Sequence, residues 1–210
     1  MEKDSATPSF FRRHWTDTLF AAAALFVSAI SLWVGIRTED ANEKLVAAST
    51  WPFAQVMIDN ATPQGVPRLQ FNVVNTGVGP AKIESFEVFW KGRPFRSGKE
   101  LVTACCGLKT TGGVTLPGSN NTHLLTGSVQ GMILRPGESE AFIIYSLTDE
   151  TIAVWNALND AQKSMTYRIC YCSVLDEWWR NALASDLTKP GQLRPERVKT
   201  CPVPAVAYTH

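Results

Sequence analysis

One uninterrupted apolar segment constrains this chain more than any other feature of its sequence. Residues 19–36 read LFAAAALFVSAISLWVGI and contain no charged residue and no proline. As a helix this segment is roughly 27 Å long, close to the hydrocarbon thickness of a bilayer. Trp15 and Trp33 lie near its two ends, where indole rings favour the headgroup level. The pattern predicts a transmembrane helix over residues 15–36, since the buried helix of a soluble protein rarely has so long an apolar run.

A cleaved signal peptide is the main alternative to a permanent anchor. Its apolar region is usually shorter, about 7–15 residues, and it ends at a small-x-small cleavage site. Here the apolar run ends in VGIR at residues 34–37, which is a poor site of that kind. The sequence therefore predicts an uncleaved anchor.

The distribution of basic residues predicts the orientation of this anchor. Three of them precede the segment and two follow it: Lys3, Arg12 and Arg13, then Arg37 and Lys44. Because positive charge is retained on the cytoplasmic side, we expect residues 1–14 to form a cytoplasmic tail. The rest of the chain then lies on the outer side of the membrane. A domain anchored the other way round, in the cytoplasm, is the alternative.

Small residues mark one face of the predicted span. Ala24 with Ser28, and Ser31 with Gly35, have small-xxx-small spacing. Such spacing lets two membrane helices approach closely, so we expect self-association or docking to another helix at this face. An alanine-rich helix with small residues at these positions by chance is the alternative.

The helical pattern continues beyond the apolar segment and stops at a proline. Residues 37–50 carry acidic and basic side chains four positions apart, in the order that stabilises a helix. Pro52 cannot continue that helix, and it biases Trp51 toward an extended backbone. The sequence therefore predicts a helical stalk over residues 37–50 and one folded domain over residues 51–210.

Within the domain, apolar residues recur with the two-residue period of strands. The alternation predicts strands over residues 54–59 and 69–74, and residues 83–90, rich in Phe and Val, precede a turn signal and predict another. Short strands over residues 114–116, 124–126, 141–147 and 167–174 complete the predicted set. Residues 141–145 are apolar on both faces, so we expect that strand in the interior of a sheet. One helix is predicted over residues 149–162, with Thr148 as its N-cap. Short strands joined by Gly/Pro turns predict a mainly β fold, a β-sandwich.

Two turn sequences carry a resemblance to known sandwiches. Residues 75–81 (NTGVGPA) connect two predicted strands, and residues 134–138 (LRPGE) precede the apolar strand 141–147. Both resemble loops of bacterial immunoglobulin-like, cell-adhesion-related domains. The resemblance implies an immunoglobulin-like β-sandwich with a binding or assembly role, and it brings no catalytic residues.

A further resemblance combines the anchor with motifs of the domain. The motifs are Trp51-Pro52, NTGVGPA, Cys105-Cys106 and CYCS at residues 170–173. Together they are similar to uncharacterised proteobacterial single-span membrane proteins, which implies a bacterial inner membrane and a periplasmic domain. In that group another cysteine often follows CYCS, where this chain has Trp178 and Trp179. The departure puts a hairpin disulfide inferred from the group in doubt.

Cysteines are the strongest chemical signal in the predicted domain: Cys105, Cys106, Cys170, Cys172 and Cys201. In an oxidising compartment we expect disulfides, because exposed free thiols are labile there. Cys170 and Cys172 lie two apart on a predicted strand, face the same way and are poor partners for each other. We therefore expect one of them to pair with Cys105 or Cys106.

A soft-metal site is the competing use of the same cysteines. Thiolates at Cys170 and Cys172, joined by Cys105 or Cys106, would suit Cu(I) or Zn. The CxC and CC spacings differ from those of structural zinc sites, and the three histidines are scattered along the chain. We therefore expect no metal, and keep a thiol, copper or zinc handling protein as the alternative.

Trp178, Trp179 and Arg180 form the candidate partner-binding site of the domain. On a strand, one tryptophan faces the core and its neighbour faces solvent. An exposed tryptophan beside an arginine is typical of a binding hot spot. Packing of both tryptophans over a sheet edge or a disulfide is the alternative.

Sequence motifs of catalysis and nucleic-acid binding are missing. The chain lacks the GxSxG, HExxH and P-loop patterns. Its formal net charge of +1 supplies no basic field for nucleic acid. We therefore expect a non-catalytic protein without a cofactor. It would bind other membrane or envelope proteins as an accessory or assembly subunit of their complex.

Overall fold

The computed structural model of the protein describes residues 9–108, 123–184 and 195–209. The chain forms two compact units, Met1–Ala47 and Ala48–His210. Within the described residues the α-helices are α1 (Ser9–Ser49), α2 (Gly98–Cys106) and α3 (Ile152–Ala161). The strands of the same residues are β1 (Ala54–Ala61), β2 (Pro67–Asn75), β3 (Ala81–Trp90), β4 (Arg93–Phe95), β5 (Leu124–Thr126), β6 (Ile133–Leu134), β7 (Ser139–Ser146), β8 (Met165–Cys172), β9 (Trp178–Ala184) and β10 (Glu196–Val198).

Helix α1 contains both the predicted span and the predicted stalk. It is one continuous helix of 41 residues, and its segment Asp17–Ser49 is long and apolar enough to cross a membrane by length and composition. Apolar or small side chains surround residues 19–36 of the helix, which is typical of a segment in an apolar solvent rather than of a helix lying on a core. The helix ends three residues before Pro52, since proline excludes its own residue and disfavours helical geometry just before it.

The second unit is built from two antiparallel sheets. Sheet A has the strand order β1-β2-β7-β5, and sheet B has the order β10-β9-β8-β3-β4, with β6 also paired to β3. Strand β7 lies between β2 and β5, so the interior position predicted for residues 141–147 is confirmed. The mainly β prediction is confirmed as well.

The two-residue period explains how these strands form one core. On β2 the side chains of Leu69, Phe71 and Val73 are buried, and β1 pairs with β2 in a register that sets Val56 opposite Val73 and Ile58 opposite Phe71. A shift of one residue would turn this apolar face to solvent, so burial sets the register. The inner faces of the two sheets share a single apolar cluster.

Tyr208 completes both the core and one edge of sheet B. Its ring makes edge contacts with Phe86 and Phe142, with ring centroids 5.6 and 5.5 Å apart. Its backbone N–H donates to the Phe86 carbonyl at 2.9 Å, and its hydroxyl donates to the Phe142 carbonyl at 3.0 Å. Phe86 lies on β3 between the parts of that strand that pair with β6 and with β4. The C-terminal segment therefore supplies the missing backbone partner on this edge.

The remaining predictions of strands and helices have different outcomes. The strand predicted at residues 114–116 lies outside the described residues. The helix predicted over residues 149–162 exists as α3, but Thr148 as its N-cap is wrong. Thr151 directly precedes the helix, and its hydroxyl accepts a hydrogen bond from the Thr148 N–H at 2.7 Å, so the chain makes a turn before the helix begins. Helix α2 was not predicted, because it is only nine residues long and its apolar pattern is correspondingly short.

We predict that the fold loses stability above about pH 10 through its buried tyrosines. Burial raises the pKa of Tyr208, and burial likewise raises the pKa of Tyr171. Because these folded-state pKa values exceed the unfolded value near 10, their contribution is complete below that pH and is lost as the pH rises further. Denaturant unfolding of the full chain in detergent micelles, followed between about pH 8 and pH 11, measures this loss.

The variant Tyr208→Phe separates the two contributions of this residue. It should lower the unfolding free energy at neutral pH by about 1 kcal/mol, since the bond to the Phe142 carbonyl is gone. It should also make the alkaline decline shallower, because phenylalanine does not ionise. An alkaline decline as steep as that of the natural chain would contradict the placement of Tyr208 in the core.

Candidate interaction surface

The chain enters the domain through a short segment that lies against the loop between β2 and β3. The Val78 and Gly79 N–H groups donate to the Trp51 carbonyl at 3.0 and 3.1 Å, and the Thr76 N–H donates to the Phe53 carbonyl at 2.9 Å. Residues 51–53 therefore bond to this loop as an extra strand would. The predicted boundary at Trp51-Pro52 is an ordered junction.

Two glycines allow this close approach. A Cβ at Gly77 would lie 2.4 Å from the Phe53 nitrogen, and one at Gly79 would lie 2.0 Å from the Thr50 carbonyl oxygen. Both distances are far below contact distance, and both neighbours are backbone atoms that cannot rotate away. Glycine is therefore required at each position by space rather than by backbone dihedral.

Asn75 holds the junction together from inside the domain. Its side-chain oxygen accepts hydrogen bonds from the Phe53 N–H at 3.1 Å and the Gly77 N–H at 3.0 Å. Its amide nitrogen donates to the Gly79 carbonyl at 2.8 Å and the Leu134 carbonyl at 2.9 Å. The side chain is fully buried, and both donors and both lone pairs of its amide are in use. One amide thus joins the entry segment, the loop and β6.

We predict that Asn75→Ala lowers the free energy of unfolding by about 3 kcal/mol or more. The substitution leaves buried backbone donors and acceptors without partners, and each such loss costs about 1–3 kcal/mol. Denaturant unfolding of the full chain measures the change. Asn156→Ala is the matched control, since Asn156 is exposed on α3, and it should change stability by less than about 0.5 kcal/mol. Equal effects of the two variants would contradict the role of Asn75.

A rigid hairpin tip lies beside this junction. Ser173 Oγ accepts hydrogen bonds from the Leu175 N–H at 3.1 Å and the Glu177 N–H at 3.4 Å. The Ser173 N–H donates to the Glu177 carbonyl at 2.9 Å, and Asp176 takes a left-handed backbone with φ of 54°. These bonds hold Val174 and Leu175 in an exposed position at the tip.

Exposed apolar side chains concentrate at this end of the domain. Lys82, at the start of β3, pairs with Ile133 of β6 on one side and with Cys172 of β8 on the other. This register brings β6 and the β8–β9 hairpin next to the loop on which residues 51–53 lie. The side chains collected there are exposed and are named the entry-end surface: Trp51, Val78, Met132, Ile133, Val174 and Leu175. A rigid apolar surface of this kind is typical of a binding site.

The structure divides the predicted site at residues 178–180 between two faces of β9. Trp179 is buried and stacks on Tyr171 with ring centroids 6.1 Å apart, whereas Trp178 is half-buried on the outer face. The two neighbours therefore lie on opposite faces of the strand, with Trp179 in the core and Trp178 partly covered outside it. Arg180 Nη2 donates to Glu196 Oε2 at 2.6 Å, so its charge is already paired. Trp178 follows the hairpin tip directly and extends the entry-end surface.

The cysteines pair differently from the sequence prediction. Cys170 bonds Cys201, and Cys105 bonds its neighbour Cys106. The prediction that Cys170 or Cys172 pairs with Cys105 or Cys106 is wrong, because sheet B lies between the two pairs of cysteines. Ile169 and Tyr171 fill the core side of β8, so Cys170 and Cys172 face outward, whereas Cys105 and Cys106 pack against the core from α2.

Cys172 is the free thiol of the described residues. Burial raises the pKa of this thiol, and the carboxylates of Glu84 and Asp176 raise it further while Lys82 opposes them. A protonated, buried thiol is a poor nucleophile and a poor metal ligand. The thiolates that a copper or zinc site would need at Cys170, Cys105 and Cys106 are joined in disulfides. Among the described residues no group of three or more metal-binding side chains occurs.

The small residues of the predicted span share one face of α1. Ala24, Ser28, Ser31 and Gly35 follow one another at helical spacings of four, three and four residues and are exposed. The Ser28 hydroxyl donates to the Ala24 carbonyl at 2.8 Å, so this polar group is satisfied within the helix. A Cβ at Gly35 would meet no atom within 4 Å. The helix-packing role of this face stays a prediction.

Comparison with known proteins adds no relative: no family model, curated protein or solved structure matches the chain.

Proposed function

We propose that the protein is a membrane-anchored, non-catalytic interaction module, an accessory or assembly subunit of a membrane or envelope complex. Its α1 helix anchors the chain, with the N-terminus in the cytoplasm. Its domain, an immunoglobulin-like β-sandwich in this proposal, lies in the periplasm of a bacterium. The motifs that resemble proteobacterial single-span proteins support this assignment of compartment.

The entry-end surface is the observation that carries the proposal. It combines exposed apolar side chains with a backbone that hydrogen bonds hold in place. A preorganised surface loses little conformational entropy on binding, which favours a specific partner. The chain passes from helix α1 into the domain at this end, at Thr50 and Trp51. A partner that shares the membrane is therefore well suited to bind there, and we propose another membrane protein with an ordered part outside the bilayer.

The disulfides support the proposed compartment. Two of them, Cys105–Cys106 and Cys170–Cys201, form in the domain. Disulfides persist in the periplasm and are rare in the cytoplasm of mesophilic bacteria. A domain on the cytoplasmic side would leave these pairs reduced.

We expect protease to reach the domain from outside the inner membrane. A C-terminal tag on the full chain should be lost when spheroplasts are treated with protease, while a cytoplasmic marker protein stays intact. Loss of the tag only after the spheroplasts are lysed would place the domain in the cytoplasm. That result would overturn the periplasmic assignment and leave the binding surface to be tested separately.

A charge in the entry-end surface should strongly weaken partner binding. Val78 is 60% exposed and Val66, in the turn between β1 and β2 at the opposite end of the sheet, is 57% exposed. Val78→Asp and Val66→Asp therefore introduce the same charge at nearly equal exposure. After mild detergent extraction of the native membrane, the protein that copurifies with the natural chain should fall at least about tenfold with Val78→Asp, as expected for a hot-spot residue.

The control variant should retain the partner at the level of the natural chain. Equal recovery with both variants, or a monomer in every sample, would contradict the proposed surface. Elemental analysis of the same preparation tests the competing use of the cysteines. Copper or zinc in a one-to-one ratio with the chain would favour the thiol or soft-metal protein instead.

A further inference from the structure

The two disulfides of the domain differ in what they do for the fold. Cys170 and Cys201 are 31 positions apart in sequence, whereas Cys105 and Cys106 are adjacent. The conformational entropy that a disulfide removes from the unfolded chain grows with the logarithm of the number of residues in the loop that it closes. The Cys170–Cys201 bond therefore stabilises the fold, while the Cys105–Cys106 bond restricts the unfolded chain very little.

Helix α2 is held by groups other than this adjacent pair. Ser97 Oγ accepts from the Glu100 N–H at 3.2 Å, which caps the first turn. Leu101 and Val102 are fully buried in the middle of the helix. Gly107 closes the last turn in the left-handed conformation, with φ of 68°, and its N–H donates to the Thr103 carbonyl. Opening the Cys105–Cys106 bond therefore leaves the helix with both caps and its buried contacts.

The two disulfides also differ in access. Cys105 and Cys106 are half-buried at the C-terminal end of α2, in a part of the helix whose preceding residues, Thr103 and Ala104, are exposed. Cys170 is only 2% exposed, whereas its partner Cys201 is half-buried. Because thiol–disulfide exchange needs attack along the sulfur–sulfur axis, an external thiol can approach either sulfur of the adjacent pair but only the Cys201 sulfur of the long-range bond.

We propose that Cys105 and Cys106 form a redox-active site that exchanges electrons with a dithiol partner while the fold stays intact. A thiolate of the partner attacks one sulfur of the Cys105–Cys106 bond and forms a mixed disulfide. The second thiol of the partner then displaces that sulfur, so the partner leaves as a disulfide and the chain holds two thiols. Two electrons and two protons pass from the partner to Cys105 and Cys106, and a disulfide partner reverses the step.

This site goes beyond the proposed interaction module, because it adds a stoichiometric thiol–disulfide exchange at α2 to the binding role and does not involve the entry-end surface. Cys170–Cys201 serves as the structural bond of the same chain. Because this bond stabilises the fold through the loop that it closes, folding stabilises the bond by the same factor. In the folded domain the exchange equilibrium with a dithiol therefore favours the Cys170–Cys201 disulfide by more than about a hundredfold.

Differential alkylation of the purified full chain tests the proposal. The protein in detergent micelles is equilibrated with increasing dithiothreitol, quenched with acid, alkylated under denaturing conditions and digested for mass spectrometry. Cys105 and Cys106 should become alkylated at a dithiothreitol concentration at least about tenfold lower than Cys170 and Cys201. Far-ultraviolet circular dichroism should not change across the first transition. Glutathione disulfide should then close the adjacent pair again.

Two variants test the access of the Cys106 thiol and the independence of the two disulfides. In Cys105→Ser, the remaining Cys106 thiol should form a mixed disulfide with glutathione disulfide, which marks it as accessible for exchange. In Cys201→Ser, the reduction of Cys105–Cys106 should keep the same midpoint, since the two sites are independent. A single shared midpoint for both disulfides, earlier reduction of Cys170–Cys201, or loss of sheet signal during the first transition would each overturn the proposal. So would a Cys105–Cys106 pair that glutathione disulfide fails to oxidise.

Discussion

The domain depends on one buried amide at the point where the chain enters it. At the end of the sheets where β1 begins, β2 ends and β3 begins, the entry segment, the β2–β3 loop and β6 bring backbone polar groups together around one side chain. Asn75 satisfies four of those groups with one side chain, and it does so from a fully buried position. Unpaired buried groups are costly, so this constraint sets the path of residues 51–53 and the two glycines that face them. The exposed apolar side chains at the same end are presented by a backbone that has little freedom.

A second constraint closes the domain from its C-terminal side. Strand β3 receives β6 and β4 at the two ends of one edge, and Tyr208 bonds to the strand between them. The Cys170–Cys201 bond fixes the start of the same segment on the outer face of β8. Tyr208, seven residues later, bonds to β3 at its other edge. The covalent bond and the buried ring thus hold the two ends of this C-terminal segment.

Local patterns predicted much of this architecture and failed where partners are distant in sequence. The period of two marked β1 and β2, and short apolar segments bounded by turn signals marked β3, β7 and β8. The short helix α2 escaped prediction, since its helical period covers little more than two turns and its stability comes from packing under Leu101 and Val102. The role of Asn75 could not be predicted either, because one of its partners is distant in sequence. The NTG sequence indicates a turn, while the carbonyl of Leu134 that the amide reaches is 59 residues away.

The sequence by itself determined the apolar helix, its continuation to Ser49, the break at Pro52 and the mainly β character of the domain. Each of these follows from the pattern and the interactions of residues close in the chain. The tertiary structure alone decided which cysteines pair, which tryptophan of residues 178 and 179 is buried, and where exposed apolar side chains gather. Those outcomes depend on sheet order and on which face of a strand meets the core. Local sequence patterns do not show which distant residues folding will bring into contact.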